Sequence, residues 1–219
     1  MSFHKVIMDY RIAGLVIAVF YAVGIAGHIY PPTLPLMIRL TPWVLLLFGL
    51  LVILQVNPGP PGRAAIWIVC TYLFTFSMEA LGVATGNVFG DYRYGSSLGF
   101  QLFEVPLVIG FNWTIIVLAI SGEVYHVVRS PLLGALLTGG GAVLFDWVME
   151  PAAISLVYWH WEQGVIPLQN YLAWFAIAAL CSWSFHRLRI HSASRLGALY
   201  VLIQLVFFIV LRITGTQFP

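Results

Sequence analysis

Seven apolar stretches, each close to the length of a transmembrane helix, divide this chain of 219 residues. A helix needs roughly 20 apolar residues to cross the hydrocarbon core of a bilayer. Lipid offers no hydrogen-bond partner to the backbone, so such stretches must be helical. Only 8% of the residues are charged, against about 25% in soluble domains. The sequence therefore predicts an all-α polytopic membrane bundle of about seven transmembrane helices, a single domain over residues 1–219, with spans at roughly 12–30, 35–56, 64–83, 101–120, 131–150, 168–186 and 195–213.

Lys and Arg residues fall mainly on one side of these predicted spans. Seven lie on the side of the N-terminus and three on the opposite side. Because short cytoplasmic loops are enriched in Lys and Arg, we expect a cytoplasmic N-terminus and an external C-terminus in the cell membrane. The loops at 84–100 and 151–167 then share the outer end, where we expect one site. The seven are Lys5, Arg11, Arg63, Arg129, Arg187, Arg189 and Arg195, and the three are Arg39, Arg93 and Arg212.

Four acidic residues fall within the predicted spans. Glu79 lies near the outer end of the third span and Glu104 in the first turn of the fourth, while Asp146 and Glu150 are one helical turn apart and share a face. A charge at the bilayer centre costs about 2.5–3.5 kcal/mol on insertion scales. These carboxyls should therefore face the bundle interior, be protonated or lie at the headgroups. Arg93 is the evident basic partner. A carboxyl buried without a cation is a candidate general acid.

The end of the fifth span is predicted at Pro151, whereas Asp91 in the polar loop and Glu104 in the first turn of the fourth span each allow two readings. Pro151 directly follows Glu150 and is expected to end the helix there. Asp91 and Glu104 could contribute to a site, or could be solvated and, for Glu104, suit a helix N-terminus.

Aromatic residues crowd the same outer end. They could form the interfacial belt of a membrane protein, or line an apolar pocket in which ring faces stabilise a cation. The residues concerned are Phe89, Tyr92, Tyr94, Trp113, Trp147, Tyr158, Trp159, Trp161, Tyr171 and Trp174.

Several functions are disfavoured by what the sequence contains. Its one lysine is Lys5, so no lysine within the membrane could hold retinal. The six histidines form no HxxH or HxxxH pair, which disfavours a histidine-rich di-iron enzyme. The two cysteines suggest no disulfide framework, and no phosphate-binding motif is found. We expect neither a metal nor another cofactor and, at a net charge of +2, no nucleic-acid partner. Gly139 to Gly141 are expected to permit close helix packing.

Three sequence blocks together form a recognisable pattern. The first block comprises Glu79, Gly82, Val83, Thr85, Gly86, Phe89, Gly90, Tyr92, Tyr94, Leu98, Gly99, Leu102, Phe103, Val105, Pro106 and Leu107. The second block is Asp146 with Glu150–Pro151. The third contains Trp159, Trp161, Gly164, Pro167, Asn170, Tyr171 and Trp174. In these blocks the chain resembles the integral-membrane carotenoid biosynthesis proteins whose studied members hydrate acyclic carotenoid ends.

The resemblance implies an enzyme that adds water to a terminal double bond of an acyclic carotenoid by acid–base chemistry. Asp146 and Glu150 are the expected acid and base, without assignment of which is which, and Glu79 is a third carboxyl. Substrate-binding residues are expected at Tyr92, Tyr94, Asp91, Glu104, Asn112, Trp113, Trp159, Trp161, Asn170 and Trp174.

Two other functions remain open from the sequence. A carotenoid end-group cyclase would form the same cation but capture it with an internal double bond. Glu104 and Asn112, which depart from the family pattern, favour hydration. A protein that only binds lipid or pigment is the alternative from a different class. The expected partners are a lipophilic polyene and the lipid bilayer, and association with a second copy or with other pathway enzymes is open.

Overall fold

Seven long helices form an all-α bundle in the computed structural model, which describes residues 8–56, 62–190 and 195–215. Lys5, which contributed to the predicted orientation, and Pro219, at the C-terminus, lie outside these residues. The helices are α1 (Tyr10–Ile29), α2 (Leu34–Leu54), α3 (Arg63–Thr85), α4 (Leu107–Val127), α5 (Pro131–Ser155), α6 (Leu168–Arg187) and α7 (Arg195–Thr214).

Six of these helices are long and apolar enough to cross a membrane. Helix α6 does not reach that apolarity, because polar residues such as Gln169, Asn170 and His186 lie within it. Arg39 and Pro42 do not interrupt α2, which is continuous and is preceded by a 3-10 turn at Pro31–Thr33.

Helix α4 is the centre of the bundle. It contacts α2, α3, α5, α6 and α7, and apolar residues lie on all its faces, as suits a helix packed among several others. Helix α1 packs on α7, and α5 packs most extensively on α6. The bundle therefore buries α4 and leaves α1 and α2 at its edge, with much of their surface exposed.

The glycines in the middle of α5 permit close packing of helices, as predicted. A Cβ on Gly139 would lie 2.9 Å from the backbone oxygen of Phe175 in α6, and one on Gly141 would lie 3.2 Å from Ile120 in α4. Gly139 therefore needs a residue without a side chain, whereas a methyl group at Gly141 would require a small shift of the Ile120 side chain. Gly140 faces open space, and nothing lies within 4 Å of the corresponding Cβ.

The prediction that Pro151 ends the fifth helix is wrong, because α5 continues to Ser155. Proline lacks the N–H that would donate to the carbonyl four residues earlier, here that of Trp147. In its place, Nη1 of Arg212 in α7 lies 3.5 Å from the Trp147 carbonyl oxygen, and the guanidinium stacks on the Trp147 ring. Glu150 is consequently followed by more than one further turn of helix, and Asp146 lies one turn before Glu150.

The start of the fourth span was also predicted incorrectly. Residues 101–106 form a short hairpin of β2 (Gln101–Leu102) and β3 (Val105–Pro106), and α4 begins only at Leu107. A two-residue hairpin turn requires positive φ at its central residues, and Phe103 and Glu104 have φ of 52° and 64°. Glu104 thus lies in a tight turn, not in the first turn of a helix.

Candidate active site

Two short strands join the loop after α3 to the loop after α5. Strand β1 (Tyr92–Tyr94) pairs antiparallel with β4 (Trp159–Trp161), with Tyr92 opposite Trp161 and Tyr94 opposite Trp159. Side chains alternate across a strand, so both tyrosines and both tryptophans face the bundle while Arg93 and His160 are exposed. The pairing brings together the two polar loops that the sequence placed at one end.

A cavity of about 350 Å³ lies beneath this strand pair, between the helices. Two of the predicted site residues, Asp91 and Glu104, lie outside it. The other eleven line it: Glu79, Tyr92, Tyr94, Asn112, Trp113, Asp146, Glu150, Trp159, Trp161, Asn170 and Trp174.

The buried acids of the chain all lie in this cavity. Three of the eight acidic residues, Glu79, Asp146 and Glu150, are buried, and the other five are exposed. Among the described residues that line the cavity there is no Lys or Arg. In the part of the chain that the structure describes, no three His, Cys, Asp or Glu side chains are grouped so that they could hold a metal ion.

Two phenols hold Glu79. The hydroxyls of Tyr92 and Tyr94 both donate to its Oε2 atom, the latter at 2.7 Å. Burial, and next the neighbouring Glu79 carboxylate, raises the pKa of Tyr92 and of Tyr94 well above that of a free phenol. Both hydroxyls therefore remain protonated donors at neutral pH.

Neutral donors also hold the other two carboxyls. The indole N–H groups of Trp159 and Trp161 donate to Oε2 of Glu150 at 3.0 and 3.1 Å. The side-chain amide of Asn170 donates to Oδ2 of Asp146 at 2.6 Å. The two tryptophans are thus hydrogen-bond donors inside the bundle rather than members of an interfacial belt.

Aromatic rings cover the same wall of the cavity. Trp113 and Trp174 stack with their centroids 3.6 Å apart, and Phe89 stacks on Trp174 with centroids 5.1 Å apart. Tyr92 connects Phe89 with Trp161, at 6.1 and 5.0 Å. A group bound beside the carboxyls would therefore have ring faces close to it.

The polar residues that do not reach the cavity form a shallow surface pocket. Asp91, Glu104, Arg93 and Glu162 line it. The expectation that Arg93 is the basic partner of the buried carboxyls is wrong, because Arg93 Nε lies 2.9 Å from Glu162 Oε1. The alternation along β1 turns Arg93 outward, away from Glu79.

Apart from phenols and indoles, three polar side chains of the cavity lining were not predicted from the sequence. His28 of α1, Thr41 of α2 and Gln204 of α7 all line it. Thr41 hydrogen-bonds to the hydroxyl of Tyr158 at 2.8 Å, which ties α2 to the loop after α5. Each is a polar residue within an apolar stretch, and that is the signal by which His28 and Gln204 could have been found.

The cavity lining continues to the outer surface of the bundle between α1 and α2. The lining side chains there are apolar and exposed. They face the surroundings of the bundle at the level that lipid would occupy around transmembrane helices. The exposed members are Phe20, Val23, Leu40, Trp43 and Leu47.

A helical membrane bundle with an acid-lined aromatic cavity thus defines the class of this protein. The chain belongs to the carotenoid biosynthesis protein family, whose sequence profile matches residues 41–217. It is 31% identical over 125 residues to a bisanhydrobacterioruberin hydratase of Haloarcula japonica, an alignment that covers 51% of this chain and 41% of the relative. The chain thus spans about two fifths of the length of that curated relative. No solved structure matches the chain.

Proposed function

We propose that this protein adds water to a terminal carbon–carbon double bond of an acyclic carotenoid. The observation that carries the proposal is the set of three buried carboxyls in an apolar, aromatic cavity, each held by neutral donors. The family and the name of the hydratase relative agree with this chemistry. Hydration needs one proton donor and one base, and carboxyls can serve as both.

The proposed reaction has two steps. A carboxyl O–H bond breaks as the π electrons of the alkene form a C–H bond to the less substituted carbon, which leaves a tertiary cation on its neighbour. A water oxygen then forms a C–O bond to that cation and loses one proton to a second carboxylate. One carboxyl has lost a proton and the other has gained one, so a return of the proton between them completes the cycle. Ring faces next to the cation lower its energy.

Asp146 and Glu150 suit the two roles because they are one helical turn apart and both line the cavity. Glu150 accepts two hydrogen bonds and Asp146 accepts one. Hydrogen bonds to a carboxylate stabilise its ionised form, so we assign the base to Glu150 and the proton donor to Asp146. Glu79, with its two phenol donors, is a third carboxyl that orients the reacting end of the carotenoid.

The exposed apolar lining between α1 and α2 supports entry of the substrate from the lipid. A long polyene is dissolved in the bilayer, and side chains such as Val23 and Trp43 form an apolar path from that face to the carboxyls. The part of the polyene that does not react would then extend along this path.

Incubation with an acyclic carotenoid such as lycopene tests the proposal. We expect a product heavier by one water, whose oxygen is labelled when the reaction runs in heavy-oxygen water and whose formation continues without O₂. A product of unchanged mass with a shifted absorption spectrum would show cyclisation. Oxygen taken from O₂, or no reaction with any acyclic carotenoid tested, would also contradict the hydratase proposal.

A further inference from the structure

The two steps of the proposed hydration assign no role to two buried polar side chains of the cavity. His28 lies near the end of α1 and Gln204 in the middle of α7, and they are 4% and 0% exposed. Both line the cavity. They belong to the wall formed by α1 and α7, whereas the carboxyls come from α3 and α5.

The hydrogen bonds of His28 and Gln204 define what each can still bind. Nδ1 of His28 lies 2.7 Å from the carbonyl oxygen of Gly24. A carbonyl only accepts, so Nδ1 carries the proton and Nε2 of the neutral ring is an acceptor. Gln204 donates through Nε2 to Oδ1 of Asn112 at 3.3 Å, which leaves its Oε1 as an acceptor. Among the described residues, none donates to His28 Nε2 or to Gln204 Oε1.

A series of aromatic rings separates His28 from the carboxyl wall. The His28 ring meets Phe207 edge-on at 5.2 Å, and Phe207, Phe208 and Phe145 follow in contact, at 5.3 and 6.1 Å. Phe145 in turn lies 6.3 Å from Trp113. A ligand that reached both polar walls would therefore have an apolar middle portion.

We propose that His28 and Gln204 form a second subsite in this cavity that accepts a hydrogen bond from an O–H group. The inference rests on the proposed function in that the cavity binds a polyene. The O–H group is a hydroxyl that the substrate already carries away from the reacting double bond, or it is a water molecule stored for the reaction. Buried polar groups of native proteins are paired. A water molecule has two hydrogens and could donate to both acceptors, whereas a hydroxyl has one and would donate to one of them.

Binding of two unreactive probes tests the subsite without depending on turnover. The probes are a polyene alcohol whose terminal double bonds are saturated and the hydrocarbon of the same carbon skeleton, with binding followed by quenching of tryptophan fluorescence. We expect the wild type to bind the alcohol about tenfold more tightly than the hydrocarbon, on the scale of one buried hydrogen bond. His28→Phe should abolish this preference while keeping the ring that meets Phe207.

His186 provides a matched control. Its Nδ1 also binds the carbonyl four residues earlier, that of Ser182 at 2.9 Å, and its Nε2 is likewise buried without a described partner. It lies against Gly134 and does not line the cavity. His186→Phe should therefore keep the preference for the alcohol. If His28→Phe gives no folded protein, Gln204→Met serves in its place, because it removes Oε1 at similar volume.

The outcomes separate the two sources of the O–H group. A preference for the alcohol that is lost only in the His28 or Gln204 variant identifies a substrate hydroxyl. No preference, combined with a lower kcat on lycopene in the His28 variant but not in the His186 control, identifies water. If the His28 and Gln204 variants change neither the preference for the alcohol nor kcat on lycopene, the proposal of a second subsite is wrong. A protein that prefers the alcohol but hydrates nothing would retain the subsite and lose the proposed function.

Discussion

Neutral donors, not cations, hold the three carboxyls of the cavity. Phenols, indoles and one amide donate to Glu79, Glu150 and Asp146, while Arg93 turns outward to Glu162. An Arg or Lys partner would fix a carboxylate in its ionised form through a charge-assisted bond. A phenol or indole orients the carboxyl without adding a positive charge, so a proton can be held or released at that position.

Replacing the two carboxyls on α5 with amides tests their catalytic role. Amides keep the size of the side chain but neither donate nor take up a proton as an acid–base group does. Asp146→Asn and Glu150→Gln should each lower kcat by about 10²-fold or more, the usual contribution of such groups. The double variant should lose far less than the product of both effects, because the two residues act as one unit. Turnover of an acyclic carotenoid by purified protein measures this.

Glu123→Gln is the matched control for these amides. It makes the same change of charge on an exposed residue of α4, near the opposite end of the bundle. It should leave turnover within twofold of the wild type, on the scale of a surface substitution. Wild-type rates from both α5 variants would move the chemistry to Glu79, and loss of folded protein from both would make the carboxyls structural.

The two tyrosines of β1 should make stability depend on alkaline pH. Their pKa is raised in the folded protein, by burial first and by Glu79 next, so the unfolded chain loses their protons before the folded chain does. Their contribution to stability is fully present below about pH 10, the pKa of a free phenol, and falls as the pH rises above it. Thermal unfolding of wild type and of Tyr92→Phe/Tyr94→Phe, across about pH 9 to 11, measures the difference. An equally steep loss in the double variant would contradict this assignment.

The carboxyls could be predicted from the sequence, but their partners could not. An acid within an apolar stretch is costly in lipid, so Glu79, Asp146 and Glu150 stand out. The pairing of Tyr92 and Trp161 depends on contact between two distant loops, which local sequence does not specify. The aromatic residues of these loops could form an interfacial belt or line a pocket, and only the register of β1 and β4 decides between the two.

At the scale of elements, the interface between α5 and α6 depends on small residues. In a membrane, association of helices relies on close packing rather than on the exclusion of water. Gly139 contacts the backbone oxygen and the ring of Phe175, which leaves no room for a methyl group. The same interface positions Asp146 beside Asn170 of α6, so it also orders the site.

Neighbouring glycines of α5 should respond in opposite ways to alanine. Gly139→Ala forces the two helices apart and should cost about 1–3 kcal/mol, as overpacking does. Gly140→Ala meets no atom within 4 Å and should gain up to about 1 kcal/mol from helix propensity. Unfolding in mixed micelles by a denaturing detergent measures both. Equal effects at the two positions would show that the interface is not tightly packed in the membrane.

Apolar length predicted the helices better than their ends. The stretch at 101–120 was assigned wholly to a helix because a short apolar run does not distinguish strand from helix. Its first residues form the β2–β3 hairpin, held by positive φ at Phe103 and Glu104. Pro151 misled in the opposite direction, since Arg212 of another helix compensates for its missing N–H. The first error comes from a local turn that apolarity does not reveal, and the second from a tertiary contact that overrides local preference.

At the scale of the whole molecule, the two ends of the bundle differ in chemistry. The starts of α1 and α7 meet at one end, where Arg195 lies 5.5 Å above the Tyr10 ring and donates to its hydroxyl at 3.3 Å. Arg11, Arg63 and Arg129 belong to that same end by the order of the helices. The other end carries the β1–β4 pair above the cavity. Because cytoplasmic loops are enriched in Lys and Arg, we expect the basic end in the cytoplasm and the end with the acid-lined cavity outside.

Reporter fusions test this orientation. A reporter inserted after Arg129, between α4 and α5, should read as cytoplasmic, and one fused after Gly215, just past α7, should read as external. A reporter between the β1 strand and α4 should also read as external, because β1 lies at the same end as the start of α4.

Replacing Arg63, Arg129 and Arg187 with Gln should weaken the charge bias between the two ends and give a mixture of cytoplasmic and external readings. If α6, the least apolar helix, does not cross the membrane on its own, the Gly215 fusion alone would read as cytoplasmic. If all three readings were reversed, the carboxyl-lined cavity would lie at the cytoplasmic end and would draw its water and protons from the cytoplasm.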